Sequence, residues 1–305
     1  MEQLMRNFFL FMAKNKTLTD MAKKYGLRFG ASRFVAGVEF EEAADKIKEM
    51  NEKGLVATVD HLGEFVDNEE EAIASADECI HAIEVMAEKE LDSELSLKMT
   101  SMGLDISDEL VMKNMHRILD TAQKHGITVT IDMEDFARCQ KTLDIFKELK
   151  QKYDNVGTVL QAYLYRTVED IKDLSDYKPY LRLVKGAYKE SPEVAFPDKK
   201  DVDNNYKKII KMNLLNGNYT AVATHDDAII NYTKELAKEH GISRDQFEFQ
   251  MLYGIRTEAQ ETLAKEGYKM RVYVPYGKDW YGYNMRRLAE RPANVMFVLK
   301  GLFKK

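Results

Sequence analysis

The chain has 305 residues, 45% of them apolar and 31% charged, with Lys+Arg 45 against Asp+Glu 51 and a net charge of -6. That length suits about one or two soluble globular domains with a large core, and the acidic balance argues against a nucleic-acid partner, which would call for a basic face. No run of 18 apolar residues marks a membrane span, and Cys79 and Cys139 stand in no CxxC or metal-ligand spacing, which points away from disulfides and toward a reducing, cytoplasmic compartment.

The N-terminus carries an apolar segment from Phe8 to Ala13, but Glu2 precedes it and no small-residue cleavage site follows, so it does not read as a signal peptide. Helical patterns at 2–25 and 39–53 predict that residues 1–54 form a helical extension packed on the remainder. From there eight short apolar runs read as strands: 55–61, 94–100, 127–133, 156–163, 180–186, 219–225, 247–253 and 269–275. Helical stretches follow each of them, at 69–90, 108–125, 137–152, 168–175, 201–216, 228–240, 257–266 and 279–291. Gly126, Gly241 and Gly267 are expected as helix C-caps, and Thr167 and Thr257 as N-caps. Eight strands alternating with helices predict an α/β fold of parallel units, a (β/α)8 TIM-type barrel over residues 55–305. The longest connection, 187–200, contains Pro192 and Pro197 and is a candidate lid.

In such a barrel the site lies at the C-terminal strand ends. Polar residues late in the runs are Asp60 and His61, Lys98, Asp132, Gln161, Arg182 and Lys185, Thr224 and His225, Gln250 and Tyr273. One such residue is ordinarily a hydrogen-bonded lining group. A set of this size at one end is harder to assign to structure alone, because buried unpaired charge is costly. Near the C-terminus, Tyr281-Gly-Tyr-Asn-Met-Arg-Arg-Leu-Ala-Glu290 puts Tyr283, Arg286, Arg287 and Glu290 on one helical stripe. Two adjacent guanidiniums there make a site for a small anion, and Glu290 can brace one of them. The residues alone leave several readings open: a Lys98 Schiff-base lyase, a metal hydrolase using His225 and Asp132, a barrel that only binds an amino acid, or a flavin barrel. No H-E-x-x-H, P-loop or G-x-G-x-x-G is present, so neither a zinc motif nor a Rossmann domain is indicated.

The segments Arg182-Leu-Val-Lys-Gly-Ala-Tyr188, Ala223-Thr-His225, Phe247-Glu-Phe-Gln-Met-Leu-Tyr-Gly254, Arg271-Val-Tyr-Val-Pro275 and Tyr283-Asn-Met-Arg-Arg-Leu-Ala-Glu290 resemble proline dehydrogenase in order and spacing. Ser96-Leu-Lys98 and Ile131-Asp132 extend the likeness to roughly residues 55–300. The resemblance implies a distorted (β/α)8 barrel with non-covalent FAD. It also implies oxidation of L-proline to 1-pyrroline-5-carboxylate by hydride transfer to flavin N5, with electrons passed to a membrane quinone. Position by position, it implies Asp132 and Arg182 as catalytic. Lys98, Arg286, Arg287, Tyr188, Tyr273 and Tyr283 would bind substrate, with Glu290 in support. Met133, Gln161, Arg182, Lys185, Gly186, Ala187, Thr224, His225 and Gln250 would contact the cofactor. No metal is implied. The likeness is to the monofunctional bacterial type, which hands its product to a separate 1-pyrroline-5-carboxylate dehydrogenase and touches the membrane at most peripherally.

Overall fold

The structure, a computed structural model, describes residues 34–283 and 285. Its frame is a closed barrel of eight parallel strands in sequence order. They are β1 (Val56–His61), β2 (Ser93–Lys98), β3 (Val129–Asp132), β4 (Val156–Gln161), β5 (Tyr180–Val184), β6 (Thr220–Ala223), β7 (Phe247–Leu252) and β8 (Met270–Tyr276). The helices are α1 (Phe40–Asn51), α2 (Glu69–Glu88), α3 (Asp108–Lys124), α4 (Phe136–Lys150), α5 (Thr167–Leu174), α6 (Lys199–Leu215), α7 (Asp227–His240) and α8 (Thr257–Lys265). The predicted (β/α)8 barrel is thus observed.

Several strands stop short of their predicted ends. The chain leaves β2 after Lys98 into a 3₁₀ turn at Met99–Met102, β3 after Asp132, β5 after Val184 and β6 after Ala223. Met133, Lys185, Gly186, Thr224 and His225 therefore stand on the loops that follow the strands. The expected N-caps also move by one residue. Arg166 and Arg256 occupy the cap positions, and the Thr167 hydroxyl instead donates back to the carbonyl of Gln161 at 2.5 Å. Side-chain caps do start α2, α3, α4 and α7, where Asn68, Ser107, Asp135 and Asp226 accept from first-turn amides. The glycines at 126, 241 and 267 have the left-handed backbone expected of helix ends.

The apolar core lies between the strands and the helices, not inside the barrel. Leu95 and Leu97, Val129 and Ile131, Phe247 and Phe249, and Met270, Val272 and Val274 all belong to it. The alternate residues face inward, and many are polar: Thr58 and Asp60, Glu94, Ser96 and Lys98, Thr130 and Asp132, Tyr180 and Arg182, Glu248 and Gln250, Arg271 and Tyr273. Register ties them across strands, with Thr58 beside Glu94, Lys98 beside Asp132, Arg182 beside Ala221 and Gln250 beside Arg271. Gly157 makes room for the Tyr180 side chain, since a Cβ there would come within 2.6 Å of its ring.

The lower half of the interior is one ionic network. Glu248 accepts from Arg271 Nε at 2.6 Å, Gln250 at 2.6 Å, Tyr180 at 3.0 Å and Tyr219 at 2.8 Å. Glu94 accepts from Thr58 at 2.9 Å and Tyr180 at 3.1 Å and lies 3.4 Å from Arg271. Although burial alone would raise the Glu248 carboxyl, Arg271 holds it at about 2. Burial, with Glu248 as a like-charged neighbour, raises that of Glu94 despite the opposing pull of Arg271.

α1 precedes β1 and packs on β1 and β8 through Phe40, Ala43, Ala44 and Ile47, with the Phe40 ring 5.1 Å from Tyr276. It thereby covers the wall that a helix following β8 would cover in a regular barrel. The chain after β8 goes elsewhere. Trp280, Tyr281 and Tyr283 form a separate apolar cluster with Phe34, Val35 and Leu62, and Ile255 packs against it. Leu62 and Ile255 follow β1 and β7, so residues 280–283 sit at the mouth. The rest of the predicted helix 279–291 that follows Met285, with Arg286, Arg287 and Glu290, lies outside the described residues, as does the predicted helix 2–25.

The network gives a stability prediction. Glu248→Ala leaves Arg271 buried without its main counter-ion and should reduce the free energy of unfolding by ~3–5 kcal/mol, the usual cost of breaking a buried pair from one side. Chemical denaturation of the two proteins measures it; a loss below ~1 kcal/mol would show that water or relaxation replaces the carboxylate.

Candidate active site

Four strands, β1, β2, β3 and β5, bring a second charged group together at the mouth. Asp132, closing β3, accepts from Arg182 Nη1 at 2.6 Å and Ser96 at 2.8 Å through one oxygen, and from Tyr273 at 2.7 Å through the other. Lys98, closing β2, holds Asp60 at 3.0 and 3.1 Å and lies 3.5 Å from Asp132. Burial alone would push the Asp132 carboxyl up, but Arg182 and Lys98 hold it below the usual carboxylate range. Burial pulls the Lys98 amine down, but Asp60 together with Asp132 and the other neighbouring groups keeps it well above the ordinary lysine value. Lys98 is therefore an ammonium at neutral pH. A Schiff-base lysine needs a neutral amine, so the lyase reading loses its nucleophile.

Arg182 is 3% exposed and lies with its guanidinium 5.3 Å from the Tyr273 ring centroid. Its Nη1 is bound to Ser96 and Asp132, while its Nε and Nη2 are buried and make no hydrogen bond. Gln161 has the converse arrangement. Its amide nitrogen donates to the Glu134 carbonyl at 3.1 Å, and its Oε1 is buried without a donor. Arg182 Nη2 faces Glu94 at 3.8 Å. Buried polar atoms of folded proteins are normally paired, so Arg182 Nε and Gln161 Oε1 fit a bound group that carries both hydrogen-bond donors and negative charge. A flavin meets that description.

The other expected residues fall into two groups. Tyr188 is half-buried and faces the same charges: burial raises its hydroxyl, and Glu64, Glu134 and Asp132 raise it further. Met133 and Thr224 are buried beside their strand ends. His225 accepts the Leu252 amide on Nε2 at 3.0 Å, which places its ring proton on Nδ1. Gly186 has φ +109, and a Cβ there would meet the Tyr163 ring at 2.2 Å, so the chain passes Tyr163 closely only because this residue lacks a side chain. Ala187 is exposed next to it. Lys185 is matched by Asp203 at 2.5 Å and Asp226 at 2.9 Å, so an anion would compete with two carboxylates for it. Gln250 stands apart: its amide nitrogen is committed to Glu248 and to Tyr180 at 3.1 Å, in the lower network. Tyr283 is buried in the cluster at the mouth.

The 187–200 segment is fastened rather than loose. It forms an antiparallel bridge, Leu164 to Ala195, supported by Phe196 N to Tyr163 O at 2.8 Å and Tyr165 N to Val194 O at 3.1 Å. Tyr165 donates to the Pro192 carbonyl at 2.9 Å, and Glu190 accepts the first amide of α4, Phe136 N, at 2.8 Å.

Glu134 stands at no strand end: it lies two residues after Asp132 on a loop and is fully buried. It accepts the Thr100 amide at 3.0 Å and the Thr100 hydroxyl at 2.5 Å. Burial raises its carboxyl to about 7, against those two bonds and Lys98, which lower it. Nothing in its sequence context distinguishes it from a surface acid beginning the α4 cap.

A closed parallel barrel with an arginine, a lysine and two aspartates, buried or partly buried, at its C-terminal mouth defines an enzyme of the (β/α)8 class. The proline dehydrogenase family model matches residues 43–300, and the chain belongs to the proline dehydrogenase family of oxidoreductases. It is 61% identical over 300 residues to proline dehydrogenase 2 of Bacillus subtilis, covering 98% of this chain and 99% of that one. It is 42% identical over 308 residues to proline dehydrogenase of Deinococcus radiodurans, covering 99% of each. Proline utilization A from Bdellovibrio bacteriovorus, in its structure inactivated by N-propargylglycine, superposes with a TM-score of 0.84 at 26% identity. That match covers 99% of this chain and 37% of the larger protein.

The raised Glu134 carboxyl predicts a pH dependence. Between pH about 4.5 and about 7 the folded chain holds a proton that the unfolded chain releases, so this group's stabilisation is full below that window and lost as pH rises through it. Glu134→Gln is neutral throughout. The Tm of the parent minus that of the variant should fall as pH rises from about 5 to about 7; a flat or rising difference would mean Glu134 is ionised across the range.

Proposed function

We propose that the chain catalyses the oxidation of L-proline to 1-pyrroline-5-carboxylate, the first step of proline degradation, with FAD held non-covalently at the barrel mouth. The observation that carries this reading is the hydrogen-bonded constellation of part-buried Lys98, Asp132 and Tyr273 around buried Arg182, in a chain of the proline dehydrogenase family. Bound FAD supplies the acceptor for the hydride that leaves the ring carbon beside the nitrogen, and a membrane quinone takes the electrons onward. The product passes to a separate 1-pyrroline-5-carboxylate dehydrogenase. Any membrane contact is peripheral; no described helix is long and apolar enough to cross a bilayer.

The residues supply position and charge. Gln161, Met133, Arg182, Gly186, Ala187, Thr224 and His225 would hold the cofactor, with Lys185 near its phosphates. Arg182 keeps a full positive charge in a dry place, fixed by Asp132 and Ser96 before any ligand arrives. Such prepaid orientation favours negative charge that develops during reaction. Lys98 places an ammonium beside the substrate pocket, which disfavours a second positive charge nearby and so favours the neutral amine that can lose hydride. Tyr188, Tyr273 and Tyr283 would wall the proline ring, and Arg286 and Arg287, braced by Glu290, would take its carboxylate. Two guanidiniums fix direction as well as charge, and hydride transfer needs reacting atoms within ~3–3.5 Å.

The purified protein should be yellow and should bleach when proline is added without oxygen. A colourless protein that takes up no flavin on reconstitution would instead favour the amino-acid-binding or flavin-free readings. Arg287→Met should raise the KM for proline at least about tenfold with FAD retained, as expected for loss of one charged fork. Glu290→Ala should raise it less. An unchanged KM in Arg287→Met would remove the carboxylate role.

A further inference from the structure

We propose that Thr100 and Glu134 are positioning residues that hold the β1 loop, residues 62–67, against the substrate side of the mouth. The inference rests on the proline-oxidising reading above. Each member of the clamp follows a mouth residue closely: Thr100 is two residues past Lys98, Glu134 two past Asp132, and the loop begins two past Asp60. Both oxygens of the buried Glu134 carboxyl are used by Thr100, one by its amide and one by its hydroxyl. The same Thr100 hydroxyl accepts the Phe65 amide at 3.2 Å. Phe65 has φ +58, a left-handed conformation that a bulky non-glycine residue adopts only when its surroundings impose it.

Further ties converge on the loop. Ser101 donates to the Gly63 carbonyl at 2.6 Å, and Leu62 N donates to the Tyr276 carbonyl at 2.8 Å. The Arg138 guanidinium lies 5.0 Å from the Phe65 ring centroid and is itself fixed by Asp105 and Asp135. Between these fastenings the loop carries Glu64, close enough to Lys98 and Tyr188 to act on both electrostatically. Glu134 also binds Gln161 through its own carbonyl. The buried carboxyl thus ties the β2 turn and, through Thr100, the β1 loop, while the backbone carbonyl of the same residue holds Gln161. The charges facing it are Lys98 and Glu64.

Thr100→Val removes the hydroxyl and keeps the shape. Hydrogen exchange on the flavin-loaded protein should show the amides of 62–67 exchanging about fivefold faster, the factor for one lost hydrogen bond, with β3 unchanged. The KM for proline should rise about fivefold while kcat stays within about twofold and flavin content is unaltered; Thr100→Ser should restore both readings. Ser101→Ala loosens the same loop from a different residue and gives the same signature should Thr100→Val fold poorly. Unaltered exchange at 62–67, or kcat and flavin content falling together with KM, or failure of Thr100→Ser to restore them, overturns the proposal. Proline bleaching of the parent protein separates that outcome from failure of the underlying reading.

Discussion

A charge inside a closed barrel has no bulk water to lean on, so each must meet an opposite charge or leave the protonation state that carries it. Arg182 is where that constraint is most demanding. It stands between two networks, with Nη1 on Asp132 above and Nη2 3.8 Å from Glu94 below. Its orientation is therefore set from both sides before any ligand arrives. The mouth is not an independent patch on a neutral scaffold. It is the upper end of a column of paired charges that runs down to Glu248 and Arg271.

That column explains which parts of the sequence were legible. β2 (Ser93–Lys98) alternates Glu94, Ser96 and Lys98 with Leu95 and Leu97, and β7 (Phe247–Leu252) alternates Phe247 and Phe249 with Glu248 and Gln250. Alternation of this kind ordinarily means polar residues toward water and apolar residues toward a core. Here the senses are exchanged: the apolar face meets the helices, and the polar face points into the barrel. Strand positions and the barrel could be read because they depend only on the period. Glu94, Glu248 and Arg271 could not be read as interior, because each alone looks like a solvent-facing charge. Gln250 shows the converse, since its place near a strand end gives no sign that its amide partners, Glu248 and Tyr180, lie below it.

The mouth shows the same limit. Lys98, Asp132 and Arg182 were identifiable because a strand end in a barrel is a place with a meaning. Glu134 had no such mark: it follows the strand by two residues and precedes the α4 cap, where an acid is unremarkable. Its importance comes from Thr100, thirty-odd positions away in sequence and adjacent only once the barrel closes. The departure of the chain after β8 was hidden for a related reason. A helix was expected there, but only the cluster of Trp280, Tyr281 and Tyr283 with Phe34, Val35 and Leu62 shows that it starts over the mouth while α1 covers the wall.

Charge balance then constrains what can bind. Among the described residues, the paired interior column holds the cations Lys98, Arg182 and Arg271 and the carboxyls Asp60, Glu94, Asp132 and Glu248. Fully ionised, three positive and four negative charges leave the column one negative, and the raised carboxyls of Asp60 and Glu94 are the places where a proton can cancel it. No cation of the column is left in excess. A substrate carboxylate arriving at the mouth would therefore add an unmatched charge unless positive groups came from outside the strands. That requirement gives the adjacent arginines of the C-terminal segment a physical reason. The strands supply a paired, rigid floor, and the anion would be met by guanidiniums delivered from another element. It also separates the two ends of the proposed substrate: its carboxylate needs charge the barrel does not hold, whereas its ring needs only the walls and the fixed ammonium of Lys98.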